Sequence, residues 1–452
     1  MSCCDIHNYI KPGCRAHLVG IGGVSMAPLA EVLQGAGVVV SGSDWHESEK
    51  VRHLRSLGIQ VFTGAQSAGH IEGAQCVIRT AAAHDDNPEI AAARAAGIPV
   101  FERAQAWGAI MQGYKNALCI SGTHGKTTTT SMLTHILMEA QWDPTVMIGG
   151  ELPLLKAGHR VGSGDTILLE SCEYCDSFLN FFPSMAIILN VEADHLDYFK
   201  DLQDVQKSFR KFAQLSSGPV LANGDDLHTA QALRGMNYVS FGLGEKNRVR
   251  ADSICDDWRH FDVVCDGKLY CHVDLEVLGR HNLMNALAAA GAAWLLGIDG
   301  EVAARGLHGF HGARRRMEYK GTYNGAKLYD DYAHHPDELA ATVAAVRTMP
   351  ECKRLVFAFQ PHTYTRTKAL FEDFVRELSK PDVTLVAEIY AARERNTVGI
   401  SSRDLVERIE GAEYCATLRD VTARLKEIAQ PGDVILTVGA GDIYRAGEAV
   451  LR

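Results

Sequence analysis

Between an apolar run and a helix-like stretch the chain carries Ser121-Gly122-Thr123-His124-Gly125-Lys126-Thr127-Thr128-Thr129. Gly122 and Gly125 let backbone N–H groups face an anion, and the helix start that follows adds partial positive charge. Lys126 is then placed to reach the terminal phosphates of a nucleoside triphosphate, and the Thr127 hydroxyl to ligate Mg²⁺. Thr123, His124 and Thr128 complete the cradle. The strict phosphate-loop spacing asks for glycine five residues before Gly125, where Ile120 stands, so this is a shortened GxxGKT variant.

Two acid-bearing segments follow. Glu170-Ser171-Cys172-Glu173 ends one strand-like run, and Asn190 to Asp197, with Glu192, Asp194 and His195, ends another. Parallel sheets gather ligands at such strand ends, and carboxylates beside a phosphate loop suit a hard, oxygen-seeking cation. Cys172 and Cys175 form a CxxC with no second Cys or His pair at zinc spacing, and read as ordinary thiols. Near the start, Gly20-Ile21-Gly22-Gly23 lies between a strand and a helix, with Asp44 at the end of the next strand, as a nucleotide-diphosphate turn requires. Ser25 stands where a dinucleotide fingerprint needs its third glycine, which weakens a dehydrogenase reading. His281 and Asn282 open a later helix and offer groups suited to an adenine edge or ribose, or simply to capping.

The elements that must position these residues alternate along the whole chain. Apolar strand runs are predicted at 17–19, 38–40, 60–62, 76–79 and 99–101, then at 117–120, 166–170 and 186–190, with an antiparallel meander over 252–277. After Arg314-Arg315-Arg316 the alternation resumes, with strands at 326–329, 354–359, 383–387 and 434–438 and helices at 336–347 and 367–378. The 452 residues exceed what one core supports, so several domains are expected. The net charge of -10 argues against a nucleic-acid surface. Without a long apolar run or a signal-like opening, the expectation is a cytoplasmic protein with no membrane insertion. Its 12 scattered cysteines are expected to be reduced.

Together these motifs resemble the Mur ligases of peptidoglycan precursor synthesis over nearly the whole chain. The resemblance rests on GIGGVSM from Gly20, SGSD from Ser41, GTHGKTTTT from Gly122 and NVEADHLDYF from Asn190. It continues through GRHNLMNALAA from Gly279, DDYAHHPDE from Asp330, QPHTYTRT from Gln360 and VGAGDI from Val438. It implies an α/β fold of three domains: a Rossmann-like UDP-sugar-binding domain over 1–113, a central P-loop ATPase domain with a mostly parallel sheet over 114–313, and a Rossmann-like ligase domain over 314–452. QPHTYTRT matches the branch that joins L-alanine to UDP-N-acetylmuramate, so ATP, Mg²⁺ and those two substrates are implied, with a monomer or homodimer as the working unit.

Carried over residue by residue, the resemblance places Lys126, Glu173, His195, His335 and Arg366 at the chemistry, with Thr127, Glu173 and His195 on the metal. His281, Asn282, Arg315 and Asp331 fall to the nucleotide beside the phosphate loop. Gly22, Gly23, Ser43 and Asp44 fall to the UDP-sugar. Tyr332, His362 and Arg366 fall to the amino-acid and acyl-phosphate side, where the planar fork of Arg366 would clamp a carboxylate.

Overall fold

Short runs of consecutive apolar residues, unlike alternating ones, need cover on both faces, and in parallel α/β sheets helices supply it. The computed structural model describes residues 6–452 other than 81, 197 and 393; Asp197 of the acid-rich segment therefore lies outside the described residues. The chain packs as two compact units, Met1–Val191 with Gln206–Ser240, and Glu192–Val205 with Phe241–Arg452.

In the first unit, a five-stranded sheet has the spatial order Gln60–Thr63, Val39–Asp44, Arg15–Val19, Cys76–Arg79, Val100–Glu102. All its pairings are parallel. The order reverses beside Arg15–Val19, and a crevice outside the strand ends forms at such a reversal. The turn at Gly20–Gly23 sits there. The strand predicted at 38–40 runs on to Asp44. Its polar residues Ser41, Gly42 and Ser43 hide the continuation from an apolar-run reading. Gly42 is required: a Cβ there would lie 2.6 Å from the Leu18 carbonyl oxygen and from Ile21 Cδ1.

The second sheet of this unit runs Val220–Asn223, Met185–Ile188, Asn116–Ser121, Thr166–Glu170, Thr145–Leu152, Ala157–Arg160. It is parallel up to the last, antiparallel pair. Asn116–Ser121 is thus flanked by the two strands that lead into the acid-bearing segments. Helix Lys126–Glu139 follows it across the loop.

The second unit holds an antiparallel meander, Val249–Asp252, His260–Cys265 and Lys268–Asp274, within the predicted 252–277 region and slightly before it. Its six-stranded sheet has the order Glu318–Tyr323, Ala326–Asp331, Asp433–Val438, Arg354–Phe359, Val383–Ala387, Glu413–Cys415, antiparallel only at the first pair. Alternate side chains serve opposite faces, as strand geometry dictates: Phe357 and Phe359 pack in one core, Val356 and Ala358 in the other. The single helix predicted over 367–378 is two, Tyr364–Ala369 and Phe371–Leu378. Leu370 leaves helical angles between them, at φ -109° and ψ 25°, and packs against the core. The described cysteines are all free thiols, and among the described residues no helix is long and apolar enough to cross a membrane.

Helix Arg103–Met111 packs on the segment Tyr174–Asn180 with almost no gap. A Cβ at Gly108 would lie 1.9 Å from the Asn180 carbonyl oxygen. Alanine normally favours a helix over glycine by about 1 kcal/mol, but here backbone would have to yield. Gly108→Ala is expected to destabilise by ~1–3 kcal/mol, the usual cost of overpacking. Chemical denaturation checks this, and an unchanged or raised midpoint would show that the helix and segment separate freely.

Candidate nucleotide and ligase site

The phosphate loop joins a buried strand to a helix in four residues, Gly122 to Gly125. Gly122 (φ +148°) has no room for a side chain, since a Cβ would lie 2.9 Å from Leu189 Cβ. Gly125 (φ +83°) takes the left-handed turn that opens the helix. Asn190 clamps the loop from the neighbouring strand end. Its side-chain oxygen accepts from the His124 N–H at 2.7 Å, its amide donates to the His124 carbonyl at 3.1 Å, and its own carbonyl accepts from the Thr123 N–H at 3.2 Å. Along the chain the one signal for this clamp is an Asn at a strand end, within NVEADHLDYF.

Lys126 opens the helix, and its ammonium turns back over the loop. It donates to the Gly122 carbonyl, to the Thr123 carbonyl at 3.1 Å, and to Glu173 at 3.0 and 3.2 Å. Burial alone would lower its pKa, but the charge of Glu173 outweighs that and raises it, so the amine stays charged. Glu173 is 2% exposed. The Thr127 hydroxyl meets the other acid instead, donating to Glu170 at 3.0 Å, and Glu170 also accepts from the Gly149 N–H at 2.6 Å. The two carboxylates thus divide the loop, Glu173 on the ammonium and Glu170 on the hydroxyl. Burial pushes the neighbouring Cys172 thiol up to about 11, so it is no thiolate at neutral pH.

At the first glycine turn, the Gly22 N–H donates to Asp44 at 2.9 Å, and a Cβ at Gly22 would lie equally close to that oxygen. Gly23 continues the turn, its N–H bonded to the Gly20 carbonyl. Ser43 does not present its hydroxyl to the crevice. It is 1% exposed, and the hydroxyl points inward to Glu89.

In the second unit, His195 and Asp194 lie on the segment 192–205, His195 with a left-handed φ of 54°, uncommon for a residue with a side chain. Asp194 accepts from the His195 N–H at 2.7 Å and from Arg366 at 3.1 and 3.3 Å. Burial would raise its carboxyl, but Arg366 and then His195 hold it far below the usual carboxylate range. The remaining Arg366 nitrogen lies 3.3 Å from His362 Nδ1. His334 packs edge-on to His362 at 5.9 Å, and His362 stacks on Tyr390. Burial lowers both histidines to about 4, so both are neutral at pH 7. Asp194, which the sequence offers only as one acid of its segment, and His334 join Arg366 and His362 here.

The other sequence-derived residues of this unit divide by what already occupies them. His335 caps helix Pro336–Arg347: its Nδ1 accepts from the Asp337 N–H, while Glu338 accepts from the His335 N–H. Arg315 is spent on structure. Its guanidinium donates to Asp330 at 3.0 Å and to the Gly441 and Gly439 carbonyls at 3.0 and 2.6 Å, between the rings of Tyr332 and Tyr444. These bonds engage each guanidinium nitrogen once and leave one N–H on each terminal nitrogen. Tyr332 also carries Arg316 over its ring at 5.3 Å. Asp331 is buried, accepts from the Thr342 hydroxyl at 2.6 Å, and is pushed up by burial to about 6. His281 is lowered by burial, and next by Arg316, to about 4. Asn282, at the same helix start, donates to the Leu278 carbonyl at 2.8 Å.

A clamped phosphate loop after a parallel strand, and acids collected at the ends of a six-stranded Rossmann-like sheet, define a nucleotide-handling α/β protein. The chain belongs to the Mur ligase family: residues 15–115 match its family catalytic-domain model, 120–293 the middle domain and 315–441 the glutamate ligase domain. It is 44% identical to the UDP-N-acetylmuramate--L-alanine ligase of Agathobacter rectalis, over 98% of this chain and 99% of that protein. The crystal structure of the UDP-N-acetylmuramate-alanine ligase of Thermotoga maritima superposes with a TM-score of 0.80 at 28% identity, over 97% and 98% of the two chains, and the three-domain α/β architecture is shared. A further ligase of that organism, solved with ADP, shares the fold at a TM-score of 0.63 and 15% identity, over 91% and 93% of the chains.

The buried imidazoles carry a pH dependence with a definite sign. His281, His334 and His362 take a proton at about 4 when folded but at about 6.5 in an unfolded chain. Between those values the unfolded state binds more protons, so stability is complete above about 6.5 and is lost as pH falls toward 4. Asp331, raised to about 6, and Asp330, also raised by burial, work the other way, two groups against three. The urea midpoint is expected to be lower at pH 5 than at pH 7; an equal or higher midpoint at pH 5 would mean that these imidazoles are not held neutral.

Proposed function

We propose that the chain is an ATP-dependent ligase that joins L-alanine to UDP-N-acetylmuramate in peptidoglycan precursor synthesis. The observation that carries the reading is the convergence of Lys126, Thr127, Glu170 and Glu173 on one phosphate loop, in a chain 44% identical to a ligase of that name. Residues 1–113 take the nucleotide sugar, with Gly22, Gly23 and Asp44 at the turn. Residues 114–313 take ATP, and residues 314–452 complete the ligase site, in the cytoplasm.

The loop N–H groups of residues 122–128 receive the phosphates, and Lys126 exchanges the Gly122 and Thr123 carbonyls for phosphate oxygens while Glu173 keeps it charged. A hydroxyl and two carboxylates are the oxygen donors that Mg²⁺ prefers, so Thr127, Glu170 and Glu173 fit that ion; His195 is the candidate for a second position. Mg²⁺, when bound, neutralises charge on the phosphate oxygens. His281, Asn282 and Asp331 are assigned to the adenosine.

The lactyl carboxylate attacks the γ-phosphorus, ADP leaves, and an acyl phosphate remains. Lys126 stabilises the charge on the transferred group. The neutral amine of alanine then adds to the acyl carbon, and phosphate departs as the amide forms. Arg366 is assigned to the alanine carboxylate, beside the neutral imidazole of His362. Purified protein should form the amide, detected by mass spectrometry, only when ATP, Mg²⁺, UDP-N-acetylmuramate and L-alanine are all present. A preference for a preformed tripeptide over alanine would overturn the substrate assignment.

Lys126→Ala should lower turnover by about 100-fold or more, the usual cost of removing a preorganised electrostatic group, with unchanged circular dichroism. A variant keeping more than about a tenth of the wild-type rate would remove Lys126 from the chemistry. Arg366→Lys loses the planar fork and should raise the alanine KM by an amount equivalent to ~1.5–3 kcal/mol, leaving those for ATP and the UDP-sugar much less affected. An equal rise for all three substrates would mean that Arg366 serves only its pair with Asp194.

A further inference from the structure

The first sheet buries a carboxylate that no step above uses. Glu89 is fully buried, as is His17. Such a group is expensive away from water unless it is ionised and fully paired, or neutral. Glu89 is paired on both oxygens: the Ser43 hydroxyl donates to Oε2 at 2.5 Å, His70 Nδ1 lies 2.6 Å from Oε1, and His17 Nε2 lies 3.5 Å from Oε2. These partners are themselves fixed. His70 stacks flat on Phe62 at 4.2 Å, and His17 Nδ1 is 3.0 Å from the Ser41 hydroxyl. Glu89 also occupies the first turn of helix Pro88–Ala95, where the helix dipole favours an anion. Burial would raise its carboxyl, but the nearby His17 and the hydrogen bonds with Ser43 and His70 outweigh that and lower it.

The residue that Glu89 holds is the one on which the glycine turn hangs. The Ser43 carbonyl accepts the N–H groups of both Gly20 and Ile21, each at 2.9 Å. The next residue, Asp44, accepts from Gly22 at 2.9 Å and from His46 at 3.2 Å. We infer that Glu89 is a positioning residue for the nucleoside-diphosphate-sugar site: through the Ser43 hydroxyl it fixes the carbonyl that holds the turn, and with it Gly22 and Asp44. An apolar side chain could fill the same space, but it could not anchor the end of strand Val39–Asp44 in one register of hydrogen bonds. The inference rests on the reading that this turn receives UDP-N-acetylmuramate.

The test compares wild type, Glu89→Gln and Ser43→Ala. KM is measured for each of the three substrates, UDP-N-acetylmuramate binding by calorimetry, and folding by circular dichroism. Glu89→Gln keeps the shape and loses the charge; it should raise the UDP-sugar KM and Kd about ten-fold or more, as expected when charged hydrogen bonds weaken. The ATP and alanine KM values and kcat should stay within about two-fold, a split that general loss of stability would not produce. Ser43→Ala should move the same constants in the same direction by a smaller factor, and it decides the matter if Glu89→Gln fails to fold. Folded variants with an unchanged UDP-sugar Kd, or with all three KM values raised alike, would overturn the inference alone. Wild-type protein that does not bind UDP-N-acetylmuramate would overturn the functional reading together with it.

Discussion

An ammonium in a cleft at the end of a buried strand persists only where carboxylates and carbonyls surround it, and the first unit is arranged around that constraint at Lys126. Strand Asn116–Ser121 delivers the loop. Its neighbour on one side, Thr166–Glu170, delivers Glu170 and the turn to Glu173, and its neighbour on the other, Met185–Ile188, leads to Asn190. Reordering those three strands would leave the charge unpaired and the loop unclamped. Parallel pairing is what brings all three C-terminal ends to one edge, and crossover helices are what make parallel pairing possible. The loop glycines then matter for a steric reason: Gly122 passes against Leu189, just past the strand that leads to the clamp.

The second unit handles its charges by the same rule, with different outcomes for two arginines. Arg315 donates to Asp330 and to two carbonyls, lies between two tyrosine rings, and so ties strand Ala326–Asp331 to the turn after Asp433–Val438. The Arg366 guanidinium meets side chains, the carboxylate of Asp194 and the imidazole of His362. A guanidinium bonded to backbone carbonyls is part of the frame, whereas one bonded to a carboxylate on a separate segment can exchange that partner for another carboxylate. Neutral imidazoles beside Arg366 add no competing positive charge, because burial has removed it.

Much of this architecture is local and was legible along the chain. Apolar runs mark most of the parallel strands, and Gly122, Gly125 and Lys126 announce a phosphate loop because its chemistry is carried by adjacent residues. The misreadings arose where local pattern and packing disagree. Ser41 to Ser43 continue a strand past its apolar run, with Gly42 fitting beneath Ile21. Residues 364–378 carry a helical pattern that Leu370 interrupts by packing into the core.

Sequence by itself determined the order of elements, the phosphate loop and the residue types available for ligation, since hydrogen bonds and side-chain periodicity within an element depend on near neighbours. Only the tertiary structure decided which of those residues are spent and which are on offer. That choice depends on partners far apart in the chain: Glu173 is 47 residues from Lys126, Glu89 is 46 from Ser43, Gly439 is 124 from Arg315 and Asp194 is 172 from Arg366. Each pair is brought together by strand order and burial, and a buried charge takes whichever partner that order places beside it.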